Sequence, residues 1–160
     1  MVVWRISKKK YALDRIGVGA MKTGGRWNSI DVPIIYTGMS VEIAALEKLV
    51  HISDEMPDDL VLTSITLPDD AGLYWEVPIK DLPKDWNDMP SSTSAQQFGN
   101  NFITEGTYLG VVVPSAVIPE GRNMLLNPNH PQFRHAEYNV VRDFKYDSRI
   151  KIRNDNQPAQ

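Results

Sequence analysis

Four residues of the chain have side chains that could act together on a phosphorylated sugar: Arg26, Tyr36, Glu47 and Ser115. An arginine can hold a phosphate through two parallel hydrogen bonds, and an aromatic side chain can stack on a flat ring. A carboxylate can steady a ribose hydroxyl while positive charge grows on the sugar. The set therefore suits a phosphorylated sugar that is attached to a flat ring.

Two of the four residues have simpler explanations at the level of local sequence. Arg26 lies in Gly24-Gly25-Arg26-Trp27-Asn28, where the glycines permit unusual backbone conformations and the close approach of a ligand. The alternative is a tight turn with a solvated Arg26 and a Trp27 that belongs to the core, and short motifs often arise by chance. Ser115 follows a proline at the end of a predicted strand, where an ordinary turn hydroxyl is the alternative.

Glu47 lies on a helix that the sequence predicts from Val41 to Ile52, with Ser40 as its N-cap. Apolar residues cover so much of this helix that we expect it to be mostly buried, with Glu47 roughly opposite the centre of the apolar stripe. The face that carries Glu47 and His51 then either meets solvent or lines a cleft. Helical periodicity does not separate these two arrangements.

The elements that must position these residues are mostly strands. Strands are predicted over residues 2–6, 33–36, 60–67, 73–77, 108–113, 124–126 and 139–146, and a second helix over 95–105. Residues 11–23 are expected to form a loop with a short helical turn. Because strands and helices do not alternate regularly, the pattern favours a single α+β domain with a mostly antiparallel or mixed sheet and a few helices.

Composition narrows the function classes. The 160 residues suit one domain, and the net charge of −3 comes from interspersed charges, which argues against a general nucleic-acid binder. The absence of cysteine excludes disulfides, thiolate metal sites and a cysteine nucleophile. His130 and His135 are five residues apart, but Pro131 between them works against a helix that would place both on one face, so we expect no metal site. No apolar run approaches the roughly 20 residues that span a bilayer, so we expect a cytoplasmic protein without membrane contacts.

Several stretches together resemble the RES domain, a family named for an Arg, a Glu and a Ser. The resemblance runs from about Trp4 to Tyr146 with order and spacing kept. It rests on the Gly24–Asn28 stretch, the strand ending at Tyr36, the helix over residues 40–51 that carries Glu47, residues 58–61, residues 109–117 with Pro114-Ser115-Ala116, and residues 123–131, which run from Asn123 through Asn127-Pro128-Asn129-His130-Pro131. It implies a RES domain over residues 1–153, with a fold similar to that of ADP-ribosyltransferases. Residues 154–160 are polar and are expected to form a flexible tail.

The resemblance implies a toxin of a bacterial type II toxin–antitoxin system, with NAD+ as its substrate and no prosthetic group. It makes Glu47, Arg26, Tyr36 and Ser115 the catalytic residues. Gly25 and Trp27 join Arg26 and Tyr36 in binding the substrate. The leading hypothesis is that the protein depletes cellular NAD+ by cleaving the nicotinamide–ribose bond and so arrests growth. The alternatives are a mono-ADP-ribosyltransferase that modifies one protein, and a catalytically silent module that only binds an antitoxin.

The same resemblance implies a partner protein. Its antitoxin is expected to have a repressor-type helix-turn-helix domain of the Xre/Cro kind and to block the active site. The toxin would then meet DNA only through the antitoxin. A homodimer of the toxin within that complex is compatible with the resemblance.

Overall fold

A sheet of seven strands forms the centre of the molecule in a computed structural model that describes residues 1–53 and 55–150. The strand order is β4-β5-β6-β2-β1-β3-β7. Within this sheet β4 and β5 run parallel, and all other neighbours are antiparallel. The strands are β1 (Val2–Lys8), β2 (Ile35–Gly38), β3 (Leu60–Thr66), β4 (Tyr74–Glu76), β5 (Gly110–Pro114), β6 (Arg122–Leu126) and β7 (Glu137–Asp143). The prediction of an α+β fold with a mixed sheet is confirmed.

Two α-helices pack buried residues on the same face of this sheet, and Ala20 of the remaining helix packs against the same core cluster. The helices are α1 (Val18–Thr23), α2 (Val41–Leu49) and α3 (Thr93–Glu105). Buried residues of α3 pack with those of β5 and β6, and Ala44 of α2 packs with those of β1 and β3. The pairing register of the strands shows which side chains lie on this face of the sheet. Tyr36 pairs with Leu125, and Gly38 pairs with both Asn123 and Trp4. Because paired residues point to the same side of a sheet, Tyr36 and Asn123 both lie on the helix-covered face.

The opposite face is covered by the segment before β7. Phe133 and Ala136 of this segment pack with the other set of alternating strand residues, which includes Val3, Ile35 and Met124. None of the described helices combines the length and the apolar character needed to cross a membrane.

The structure corrects the predicted environment of α2. The helix ends at Leu49, and of its residues Ala44 is the one that is buried, so the prediction of a mostly buried helix is wrong. A Cβ atom at Gly38 would lie 2.6 Å from the backbone nitrogen of Ala44, so this glycine lets one narrow strip of the helix reach the sheet. Glu47 follows Ala44 by three residues and therefore lies on the sheet-facing side, rather than opposite the buried stripe.

Other predicted boundaries move by a few residues. The strand predicted over 33–36 is β2 at Ile35–Gly38, and the last strand ends at Asp143 rather than at residue 146. The expected helical turn within 11–23 is α1. The predicted tail over 154–160 lies outside the described residues.

Candidate active site

Glu47 is held by two side chains from distant parts of the chain. Its Oε1 atom accepts a hydrogen bond from Ser115 Oγ at 2.8 Å and another from Asn123 Nδ2 at 2.6 Å. Glu47 is half-buried, on the side of α2 that faces β6 and the residue that follows β5. Glu47 therefore does not simply point into solvent, whereas His51, which was predicted on the same face, is exposed. That this face lines a cleft stays a prediction.

Ser115 follows β5 directly and is completely buried. Its Oγ atom accepts hydrogen bonds from the backbone nitrogens of Val117 at 3.1 Å and Ile118 at 3.2 Å. A serine hydroxyl has one proton and two acceptor positions, and all three are engaged because the proton goes to Glu47. Ser115 is thus both a turn hydroxyl and a support for the carboxylate. This bonding leaves it without a free position for nucleophilic attack, although the sequence placed it among the catalytic residues.

Tyr36 reaches from β2 to the Gly24–Asn28 loop. Its hydroxyl donates a hydrogen bond to Asn28 Oδ1 at 2.7 Å and accepts one from the backbone nitrogen of Trp27 at 3.0 Å. Burial raises the pKa of the Tyr36 phenol well above its ordinary value, and the negative charge of Glu47 adds to the rise. The Trp27 N–H and the positive charge of Arg26 act in the opposite direction. The charges of Arg26 and Glu47 thus both act on one phenol, which stays protonated at neutral pH.

Asn28 fixes the loop that carries Arg26, although the sequence analysis assigned it no role beyond membership of the motif. It is completely buried, and its Nδ2 atom donates to the carbonyl oxygens of Ala20 at 2.9 Å and Val32 at 3.1 Å. A Cβ atom at Gly25 would lie 2.7 Å from the Tyr36 hydroxyl oxygen. Gly25 is therefore needed to let the loop close onto Tyr36.

Arg26 is tied to the segment that follows Trp86. Its Nη1 atom donates to the carbonyl oxygens of Trp86 at 2.8 Å and Asp88 at 2.9 Å, and its Nη2 atom donates to Met89 Sδ at 3.1 Å. The alternative of a solvated Arg26 is therefore wrong. These contacts leave the guanidinium half-buried beside the exposed part of that segment.

Trp27 belongs to the core, as expected if the Gly24–Asn28 stretch is a tight turn. Its side chain is 3% exposed, and its ring stacks on Trp86 with 6.2 Å between ring centroids. A Cβ atom at Gly99 would lie 1.7 Å from the Trp27 carbonyl oxygen, so α3 runs directly against this residue. The ring is enclosed and so is not accessible to a ligand in this structure, and the role of Trp27 in substrate binding stays a prediction. Its contribution to the site is the backbone N–H bonded to Tyr36.

Asn123 is the residue at this site that sequence reasoning missed. It lies on β6, where it pairs with Gly38 on one side and Val113 on the other. No local pattern marks an asparagine within an apolar strand as a partner of a glutamate 76 residues away. Only the register of three neighbouring strands brings it beneath α2.

The histidines have separate surroundings. His130 accepts a hydrogen bond from the backbone nitrogen of Gln132 through Nδ1 at 3.1 Å, His135 accepts one from Arg134, and His51 is exposed. Across residues 1–53 and 55–150, no three acidic or histidine side chains are grouped as a metal ion would require.

Comparison with known proteins shows the family of the chain. The RES domain matches residues 2–148 of the chain. The chain belongs to the RES-domain family of toxins. The chain is 38% identical over 157 residues to a protein of Photorhabdus laumondii named "Toxin Res". The aligned residues cover 94% of this chain and 97% of that relative. A "Toxin Res" of Pseudomonas putida is 36% identical over 153 residues, which cover 94% and 99% of the two chains.

Two further matches carry more specific names. A "Prs ADP-ribosylating toxin" of Sphingobium is 35% identical over 152 residues, covering 92% of this RES-domain chain and 94% of the relative. Among solved structures, the M. tuberculosis MbcT–MbcA toxin–antitoxin complex contains a chain with a TM-score of 0.60 and 19% identity. That match covers 88% of this chain and 83% of the other. At this identity it supports the fold alone.

Proposed function

We propose that this RES-domain toxin destroys NAD+ by breaking its nicotinamide–ribose bond. The observation that carries the proposal is a half-buried Glu47 carboxylate whose Oε1 is fixed by two donors, while its charge acts with that of Arg26 on the Tyr36 phenol. An anion held in place, a cation and an aromatic hydroxyl in one neighbourhood match what a charged dinucleotide needs during glycosidic cleavage.

The proposed reaction needs no covalent help from the protein. The bond between ribose C1′ and the nicotinamide nitrogen breaks, and its electron pair leaves with nicotinamide, which becomes neutral. Positive charge develops on the ribose, and the Glu47 carboxylate stabilises it. The oxygen of water or of phosphate then bonds to C1′, and the proton of water passes to solvent. Ser115 takes no part as a nucleophile in this scheme, in keeping with its engaged hydroxyl.

Arg26 is the proposed partner of the pyrophosphate. In the free protein its Nη1 atom bonds neutral carbonyl oxygens. These bonds already have an ionised donor, but a phosphate adds an ionised acceptor and can accept two parallel N–H groups of the guanidinium at once. A bound pyrophosphate would therefore compete well with the segment that Arg26 holds.

The direct test is the intracellular NAD+ concentration after brief induction of the wild type beside Glu47→Gln. Glu47→Gln keeps the size of the side chain and removes its charge. Glu137→Gln is a matched control, since Glu137 is exposed on β7 at the sheet edge. We expect NAD+ to collapse with the wild type and the control but not with Glu47→Gln. Growth arrest with NAD+ unchanged in all three strains would refute the proposal.

A second candidate function is mono-ADP-ribosylation of a protein, which the name of the Sphingobium relative favours at 35% identity. The chemistry at C1′ is the same, and the acceptor is then a protein side chain instead of water or phosphate. Incubation of the purified toxin with labelled NAD+ and cell lysate separates the two functions. Label on a discrete protein band supports the transferase, whereas free ADP-ribose without labelled protein supports NAD+ destruction.

We also propose that an antitoxin partners this toxin, since its structural neighbour was solved in a toxin–antitoxin complex. The expected partner carries a repressor-type helix-turn-helix domain and covers the candidate site. Co-expression with a candidate antitoxin should restore growth and give a single complex in size-exclusion chromatography. A partner that restores growth without binding the toxin would contradict this assignment.

A further inference from the structure

We propose that Asn123 is a positioning residue that, together with Ser115, holds Glu47 so that Oε2 faces the substrate. The part of this inference that concerns the substrate rests on the proposed function. It gives a role to Asn123, to which the sequence analysis assigned none although the residue lies in a stretch that carries the family resemblance. It also gives the two carboxylate oxygens of Glu47 different tasks.

The two donors converge on one oxygen. Asn123 Nδ2 lies 2.6 Å and Ser115 Oγ 2.8 Å from Oε1. Within residues 1–53 and 55–150, Oε2 accepts no hydrogen bond that would compete for it. The terminal torsion of a glutamate is broad and roughly two-fold, so a carboxylate without such donors exchanges its two oxygens freely. Two donors on Oε1 remove that freedom and leave Oε2 as the oxygen that can act on a ligand.

The chemistry of the groups fixes the orientation of the Asn123 amide. An ionised carboxylate can only accept hydrogen bonds, so the group of Asn123 that faces it is the NH2. Asn123 cannot easily move away, because its backbone is paired with β2 through Gly38 and with β5 through Val113. Ser115 is equally fixed, since two backbone N–H groups bind its oxygen.

Loss of Asn123 should therefore affect turnover more than substrate affinity. The remaining donor, Ser115, permits the carboxylate to swing about a single hydrogen bond. A misplacement of about 1 Å at a reacting group costs on the order of 100-fold in rate. Because the pyrophosphate contacts of Arg26 are unchanged, KM should move little, which is the signature of an interaction that matters in the transition state.

The kinetic test uses Asn123→Leu, which removes the donor at similar volume, and Asn123→Asp, which replaces it with a carboxylate. Asn139→Leu is the matched control, since Asn139 is an exposed asparagine in the edge strand β7. We expect kcat for NAD+ loss to fall by about 10- to 100-fold in both Asn123 variants, with KM within about threefold of the wild type. Wild-type kcat in a folded Asn123 variant would overturn the inference.

A second measurement does not depend on turnover. The side-chain NH2 protons of Asn123 are followed by NMR in the wild type, in Glu47→Gln and in Ser115→Ala. We expect the bonded proton to shift when Glu47 loses its charge, while the Asn139 NH2 signals stay in place. Unchanged Asn123 signals in Glu47→Gln would overturn the inference. If the wild type leaves NAD+ intact, the proposed function fails, and the NMR response alone decides whether Asn123 holds Glu47.

Discussion

Replacement of Gly38 by alanine should damage both the stability and the activity of this toxin. The added Cβ would lie 2.6 Å from the nitrogen of Ala44 and 2.9 Å from the carbonyl oxygen of Ser40. Both are backbone atoms, so no side chain can turn aside. To reach ordinary contact at 3.4 Å, α2 must move away from β2 by about 0.8 Å. Forced overpacking of this kind costs about 1–3 kcal/mol of unfolding free energy.

The same displacement reaches Glu47, because it lies on the helix that must move. The hydrogen bonds from Asn123 and Ser115 to Glu47 measure 2.6 and 2.8 Å. An increase of about 0.8 Å would stretch both to or beyond the longest distance accepted for a hydrogen bond. Under the proposed function, we therefore expect turnover of NAD+ to fall on the order of 100-fold. Urea unfolding should show a midpoint lowered by about 1 M, given typical slopes of about 1–3 kcal/mol per molar urea.

Gly19→Ala is the matched control for this prediction. Gly19 is an exposed residue of α1, and a Cβ atom there meets nothing within 4 Å. That substitution should raise the unfolding free energy by about 0.5–1 kcal/mol, because glycine is a poor helix former. A Gly38→Ala protein as stable as the wild type would refute the close packing of α2 on β2. A destabilised Gly38→Ala protein with full turnover would refute the link between the position of α2 and Glu47.

Three further predictions concern Tyr36, Tyr138, Tyr146 and Arg26. Tyr36→Phe should lower the unfolding free energy in urea by about 1–3 kcal/mol because two buried partners lose their hydrogen bond. Tyr138→Phe should not lower it, since that hydroxyl is buried without a partner among the described residues; equal losses would contradict this contrast. Burial raises the pKa of the Tyr146 phenol to about 12 in the folded protein. The contribution of the protonated phenol to the unfolding free energy is therefore complete below about pH 10 and is lost as the pH rises through 12. Between pH 9 and 12 the urea midpoint should therefore fall less in Tyr146→Phe than in the wild type. The same fall in both proteins would contradict this prediction. Arg26→Lys should weaken NAD+ binding in calorimetry although the charge is kept, because an ammonium lacks the two-pronged geometry; unchanged affinity would argue against Arg26 as the phosphate ligand.

The sequence by itself determined the features that depend on near neighbours along the chain. Ser40 begins α2 as an N-cap whose side chain accepts from Ile43 N at 3.3 Å, and Gly106 ends α3 with φ of 63°. These motifs are local because the capping groups lie within one helical turn. The excess of strands without regular alternation was likewise enough to predict an α+β fold, and the order of the motifs was enough to indicate the RES family.

Only the tertiary structure decided which residues meet at the candidate site. Glu47 joins partners 68 and 76 residues away, and Arg26 bonds carbonyl oxygens 60 and 62 residues away. Helical periodicity also misplaced the buried side of α2, because a glycine on a neighbouring strand, rather than the helix itself, selects the strip that reaches the sheet. Strand order and register set such contacts, and both emerge from the packing of the whole chain rather than from any local stretch of it.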